Sequence, residues 1–161
     1  MNSRVAPLAA VLRLNTRLLR NCVDGLTDEQ AASRPAPPAN SVAFLVAHLT
    51  DARHSIVGLL GGSAPNPLTP YRAEARGIDD VRELPPLTEL LGAWAAASAA
   101  LDACLETVDA TALDAPSPQR FPGDDRSVLG AVAFLVQHDS YHVGQLAMLR
   151  RLHGLPAMRY R

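Results

Sequence analysis

Four long segments of the chain carry apolar residues at helical spacing, and the stretches between them are dense in proline and glycine. Proline removes a backbone donor and clashes with the preceding turn, so these stretches bound the helices. The first segment, about residues 5–22, aligns Leu8, Val11, Leu12, Leu18 and Leu19 on one side, with Arg13, Arg17 and Arg20 on another. It closes near Asp24 and Gly25, and Thr27 with Gln30 three residues on forms a capping-box pattern for a short helix. Past the proline cluster SRPAPPAN, Asn40 or Ser41 can cap a second segment, VAFLVAHLTDARHSIVGLL, which stops at Gly61 and Gly62. The third, about residues 88–108, opens with Thr88 and Glu89 and carries Leu91, Trp94, Leu101 and Leu105 at helical intervals. Ser127 can cap the fourth, about residues 128–152, before His153, Gly154 and Pro156 end it.

Between the second and third segments, residues 61–87 read as a long ordered connection with a turn of helix, and DAPSPQRFPGDD forms another Pro-rich link. No stretch alternates with a period of two, and β-branched residues are few. The expected fold is all-α, a four-helix bundle with long connections. At 161 residues, about half of them apolar, residues 1–161 are expected to close one core as a single domain.

Composition also excludes several functions. No apolar run approaches the roughly 18 residues that a membrane span requires. The first segment is broken by arginines at helical spacing, so it reads as an amphipathic helix and not a signal peptide. A cytoplasmic location is therefore expected. The formal charge is −1, the fifteen basic residues are all Arg, and acidic residues are interleaved with them, so no nucleic-acid footprint is visible. The absence of Lys excludes Schiff-base chemistry. Cys22 and Cys104 lie far apart inside helical patterns and read as buried thiols.

One motif points to chemistry. His138 and His142 in HDSYH are four residues apart, so on a helix they lie about 40° and about 6 Å from one another and can converge on one ion. Their face continues through Ala131, Leu135, Gln145 and Leu149, which places the pair inward. A third ligand should come from another helix. His153 lies about 16 Å further along and is better read as a cation site at the helix C-terminus. His48 and His54 point about 240° apart, so at most one faces the interior, and the apolar setting VAFLVAHL favours His48. Asp51, one turn on, can serve as a partner to an imidazole, a general base or an additional ligand. Gln145 suits a hydrogen bond to an imidazole, Tyr141 a packed aromatic with its hydroxyl at the rim, Trp94 the core, and Asp124, Asp125 and Arg126 a solvated helix entrance. Asp139, Ser140 and Tyr141 fill the gap between the histidines, so the HExxH pattern of zincin proteases is absent.

His48 in VAHLTDARHSIVGLLGG, followed about ninety residues later by HDSYHVGQ with its trailing LAMLRRLHG, resembles the DinB/YfiT-like superfamily over essentially the whole chain. That superfamily includes proteins related to mycothiol-dependent maleylpyruvate isomerase and bacillithiol transferases. The resemblance implies a bundle of DinB/YfiT type, commonly a homodimer. It also implies a divalent metal, nickel or zinc, on three histidines, which map to His48, His138 and His142. Many relatives carry Arg or Ala where this chain has Val143, a departure expected to alter the pocket rim. Three neutral imidazoles leave a coordination position open, an arrangement that activates water or a thiol at neutral pH. The leading expectation is a metal-dependent thiol S-transferase or hydrolase acting on a small-molecule substrate, with a low-molecular-weight thiol as a further cofactor and Asp51 as base. The alternatives are a non-catalytic metal-binding stress-response protein and a bundle without metal.

Overall fold

The computed structural model describes residues 1–36, 39–72, 78–81 and 83–160. Pro37, Pro38 and residues 73–77 and 82 of the expected connections lie outside the described residues. The regular elements among the described residues are all helices: α1 (Ala6–Val23), α2 (Asp28–Ala32), α3 (Val42–Leu59), α4 (Thr69–Arg72), a 3₁₀ turn at Ile78–Asp80, α5 (Leu87–Thr107), α6 (Ala110–Asp114) and α7 (Val128–Leu152). The long helices α1, α3, α5 and α7 match the four periodic segments within a residue or two.

Local chemistry sets their ends. Thr27 and Gln30 close the capping box of α2 with reciprocal bonds of 3.1 and 3.0 Å. The Ser41 hydroxyl accepts from Phe44 N and the Ser127 hydroxyl from Gly130 N, each at 3.1 Å, which fixes where α3 and α7 begin. At the far ends Gly61 and Gly154 take φ of +79° and +81°, a left-handed turn that a side chain would strain. Helix α5 starts one residue earlier than Thr88 predicts, behind Pro86 and with no side-chain cap of its own. Its first free N–H, that of Leu87, is taken instead by Asp28 Oδ1 of α2 at 2.8 Å. The short helix α6, capped by Asp109, was not visible as a periodic segment because five residues span little more than one turn.

Helix α3 packs along α5 and α7, and α1 packs along α7 and, less closely, α5, so the four run around the bundle as α1, α7, α3, α5. Arg13 of α1 meets Asp102 and Glu106 near the end of α5 at 3.0 and 2.7 Å, so these two helices are antiparallel. Asn15 meets Ser140, and further along Arg150 donates to the carbonyl of Cys22, so α1 and α7 run the same way. The starts of α3 and α5 share one apolar cluster and their ends another, which makes them parallel neighbours. An 18-residue helix is about 27 Å long, and the connection after α3 must carry the chain back over that length before α5 can begin. That requirement explains its length.

The core is divided. One apolar cluster gathers Leu18, Leu19, Leu45, Leu49, Leu90, Trp94 and Leu146, the other Leu12, Ile56, Leu101, Leu105, Leu113 and Val132. Between them lies a buried polar layer of Asn15, Thr50, Arg53, Ser98 and Asp139.

Candidate metal centre

Antiparallel packing of α3 on α7 brings His48, the seventh residue of α3, opposite the middle of α7. His138 Nε2 lies 2.9 Å from His48 Nε2 and 3.1 Å from His142 Nε2, and the ligand atoms of all three residues fall within 4.8 Å of one another. The rings meet edge-on, with interplanar angles of 66°, 87° and 76°, so the nitrogen edges and not the faces converge. All three imidazoles are half-buried, and no further His, Cys, Asp or Glu among the described residues joins the group.

This arrangement suits a cation. Gln145 Oε1 lies 2.7 Å from His142 Nδ1 and accepts its proton, which leaves Nε2 of that ring as a lone pair facing the group. His138 Nδ1 is buried with no partner, so that ring makes its polar contacts only on the shared side. Burial pushes the pKa of His138 below the ordinary histidine range, and the neighbouring His142 pushes it further; burial lowers that of His142 also, although Gln145 opposes the shift. Neutral imidazoles with converging lone pairs repel one another unless a cation sits between them. Metal–nitrogen bonds of about 2.1 Å at angles between octahedral and tetrahedral put neighbouring nitrogens about 3.0–3.4 Å apart, close to the two separations found.

The other residues singled out in the sequence lie elsewhere. Asp51 Oδ1 accepts from Asn66 Nδ2 at 2.6 Å and is outside the histidine group. Both ring nitrogens of His54 are buried without a partner. His153 is the C-cap residue of α7, with its Nε2 buried and unpartnered. Tyr141 packs edge-on to His142, with ring centroids 5.1 Å apart, and is largely exposed. Cys22 is buried as expected, whereas Cys104 is half-buried. Val143, expected at the pocket rim, is instead buried in the core beside Leu146 and Leu149.

Of the face of α7 expected to turn inward, Ala131, Leu135 and Leu149 are buried, and His138, His142 and Gln145 are half-buried. The full buried stripe is Val128, Ala131, Val132, Leu135, Val136, Asp139, Val143, Leu146 and Leu149, and its polar centre is Asp139. The histidines flank that stripe, where α7 meets α3 and solvent. Asp139 Oδ2 lies 3.1 Å from Arg53 Nη2, and both side chains are essentially inaccessible. Sequence reasoning missed this pair. The available signal was an acid on the buried stripe of one helix and an arginine on that of another, which burial obliges to meet.

A cavity of about 620 Å³ opens between α2, the start of α3 and residues 78–81 and 83–87, bridged by an Arg34–Asp79 ion pair of 2.6 Å. It touches the histidine group through Phe44, whose ring lies parallel to that of His48 at 5.8 Å.

A conserved protein from Enterococcus faecalis has the same fold in its crystal structure, with a TM-score of 0.74 over 94% of this chain and 97% of that one, at 19% sequence identity. None of the curated proteins matches the sequence. A family model described as the DinB superfamily matches residues 12–146, a span that holds His48, Asp139 and the HDSYHVGQ motif, and the chain belongs to that superfamily.

Proposed function

We propose that the protein is a metal-dependent enzyme that binds a divalent cation, nickel or zinc, on the Nε2 atoms of His48, His138 and His142, and acts as a thiol S-transferase or hydrolase. The observation that carries the metal reading is the convergence of three imidazole nitrogens on one point, with the tautomer of His142 set by Gln145. Bound there, such an ion would supply Lewis acidity and make a nucleophile of water or a thiol at neutral pH. An enzyme is favoured over a purely structural site because, among the described residues, three protein ligands converge and all three are half-buried, so an ion held there would keep coordination positions for water or a substrate.

The chain's own groups have separable tasks in this reading. Gln145 holds the His142 ring so that Nε2 points at the site. Phe44 supplies an apolar wall between His48 and the neighbouring cavity, which is large enough for a small electrophile or a thiol. Asp51 is the proposed base, one helical turn beyond His48 on α3, with its Oδ1 accepting from Asn66 Nδ2. Association as a homodimer is part of the proposal, with the exposed Tyr141, Met148 and Leu152 of α7 offering apolar surface, and light scattering tests it.

Metal analysis of untagged protein, together with His138→Ala and His142→Ala variants, is the primary test. Full metal content retained in both variants would remove the three-histidine assignment. Transfer of mycothiol, bacillithiol or glutathione to electrophiles, and ester or amide hydrolysis, should then be assayed with metal-loaded and stripped protein. Stoichiometric metal without turnover on any of them favours the non-catalytic metal-binding reading.

A further inference from the structure

The guanidinium of Arg53, carried by α3, touches the other three long helices. Its Nη1 donates to Thr16 Oγ1 of α1 at 2.6 Å and to Ser98 Oγ of α5 at 2.8 Å. Its Nη2 donates to the carbonyl of Leu12 at 3.0 Å and to Asp139 Oδ2 of α7 at 3.1 Å, while Nε lies 3.5 Å from Asp139 Oδ1. The Cζ of the guanidinium lies over the Trp94 ring, 3.7 Å from its centroid. Asp139 Oδ2 also accepts from Asn15 Nδ2 at 3.0 Å, and the same amide reaches Ser140 Oγ at 2.9 Å. Arg53 and Asp139 are each 1% exposed, and burial opposes the charge on Arg53 while Asp139 restores it.

Stability alone is a poor reason for such a pair, because a buried ion pair typically does no better than apolar side chains of the same volume. Its position suggests another role. Asp139 is the residue between His138 and the remainder of the motif, about 100° from His138 around α7. Arg53 lies five residues beyond His48 on α3. The pair therefore locks the rotation of the helix that carries two of the histidines against the helix that carries the third. A rotation of α7 by about 10° moves an atom about 6 Å from its axis by about 1 Å. Metal–ligand distances tolerate only about 0.2 Å. Apolar packing, which is non-directional, does not hold a helix rotation that tightly by itself.

We propose that the buried Arg53–Asp139 pair, braced by Asn15, Thr16 and Ser98, is a positioning device that sets the rotation of α7 so that His138 and His142 present their Nε2 atoms to the same point as His48. The proposal rests on the metal reading of that point and deepens it. Arg53 and Asp139 touch no ligand; they act through the histidines.

Co(II) binding to the metal-stripped full chain tests it, since the visible ligand-field absorption of Co(II) reports coordination geometry independently of any activity. Three proteins are compared: wild type, Asp139→Asn, and the double variant Arg53→Met with Asp139→Leu, which replaces the pair by apolar side chains and leaves no buried charge. Far-UV circular dichroism establishes that each is folded. The expected result is one Co(II) per wild-type chain, and binding about 10–100-fold weaker in Asp139→Asn, the range seen when groups that orient metal ligands are lost. In the double variant, helix content stays wild-type while the Co(II) spectrum at saturation changes. A folded double variant with the wild-type dissociation constant and spectrum overturns the positioning role and leaves the metal centre standing. A wild-type chain that takes up no Co(II), Ni(II) or Zn(II) removes the metal reading itself, and this proposal with it. If Asp139→Asn does not fold, the double variant decides alone.

Discussion

Replacing Gln145 by Leu isolates the tautomer of one ligand from the rest of the site. Gln145 Oε1 accepts from His142 Nδ1 at 2.7 Å, a short bond for a neutral pair. Ligation through Nε2 requires the proton on Nδ1, and the ligated ring becomes a stronger donor, so the bond strengthens as the metal binds. Its loss should therefore weaken metal binding more than it weakens the fold. A buried donor left without an acceptor costs about 1–3 kcal/mol, and the half-buried position of His142 lets water recover part of that, which argues for the lower end. About 1.4 kcal/mol corresponds to a tenfold weaker dissociation constant. Competition against a chelator of known affinity, with Zn(II), measures it, and urea unfolding of the metal-free protein provides the control. Gln145→Glu supplies the opposite sign: a carboxylate accepts from Nδ1 more strongly and raises the basicity of the ring, so this variant should bind at least as tightly as wild type. A Leu variant within twofold of wild type, or a Glu variant that binds worse than the Leu variant, would refute the assignment of Gln145 as the group that orients His142.

Two further outcomes follow from buried groups. Burial raises the pKa of the Cys22 thiol to about 11, partly opposed by Arg150, so only about one molecule in a thousand carries the thiolate at pH 8; mass-resolved alkylation of the native protein should label Cys104 first, and equal labelling rates would contradict the packing of α1 on α7. Burial also lowers the pKa of His54, partly opposed by Asp51, so the unfolded chain binds this proton more readily than the folded one. Stability is then fully present above the unfolded value near 6.5 and declines as pH falls below it. His54→Leu should flatten that decline in denaturant titrations between about pH 5 and 7, and an unchanged slope would show that His54 is not the group responsible.

The helices were legible because their signals are local. Ser41 and Ser127 cap where their sequence context places them, and the prolines mark the connections. The histidine trio was legible for a similar reason: an i, i+4 pair on one helix and a lone histidine in the apolar half of another leave few ways to combine. The orientation of α7 was legible only coarsely: Ala131, Leu135 and Leu149 are buried as their spacing indicates, but a stripe about 100° wide leaves His138, Asp139 and His142 all within or beside it. Only the partner helices decide which of the three is innermost, and Arg53, held by groups from α1, α5 and α7, makes it Asp139. The capping of α5 by Asp28 was hidden in the same way, since donor and acceptor are 59 residues apart.

The polar layer also divides the molecule mechanically. The cluster around Leu101, Leu105 and Leu113 is separated from Leu19, Leu45 and Leu90 by Arg53, Asn15, Ser98 and Asp139, whose contacts are directional and fully made. If this layer and not general core packing positions the histidines, a cavity beyond it should cost stability without disturbing the metal. Leu105 is fully buried in the second cluster, and Leu105→Ala should cost about 2–5 kcal/mol in urea unfolding. Its metal dissociation constant should stay within twofold of wild type. At a free metal concentration one hundred times that constant, wild type and variant should each gain about 2.7 kcal/mol of stability, because the gain depends only on affinity for the folded state. A tenfold loss of affinity in Leu105→Ala would mean that strain crosses the layer freely, and would return the positioning of His138 and His142 to the core as a whole.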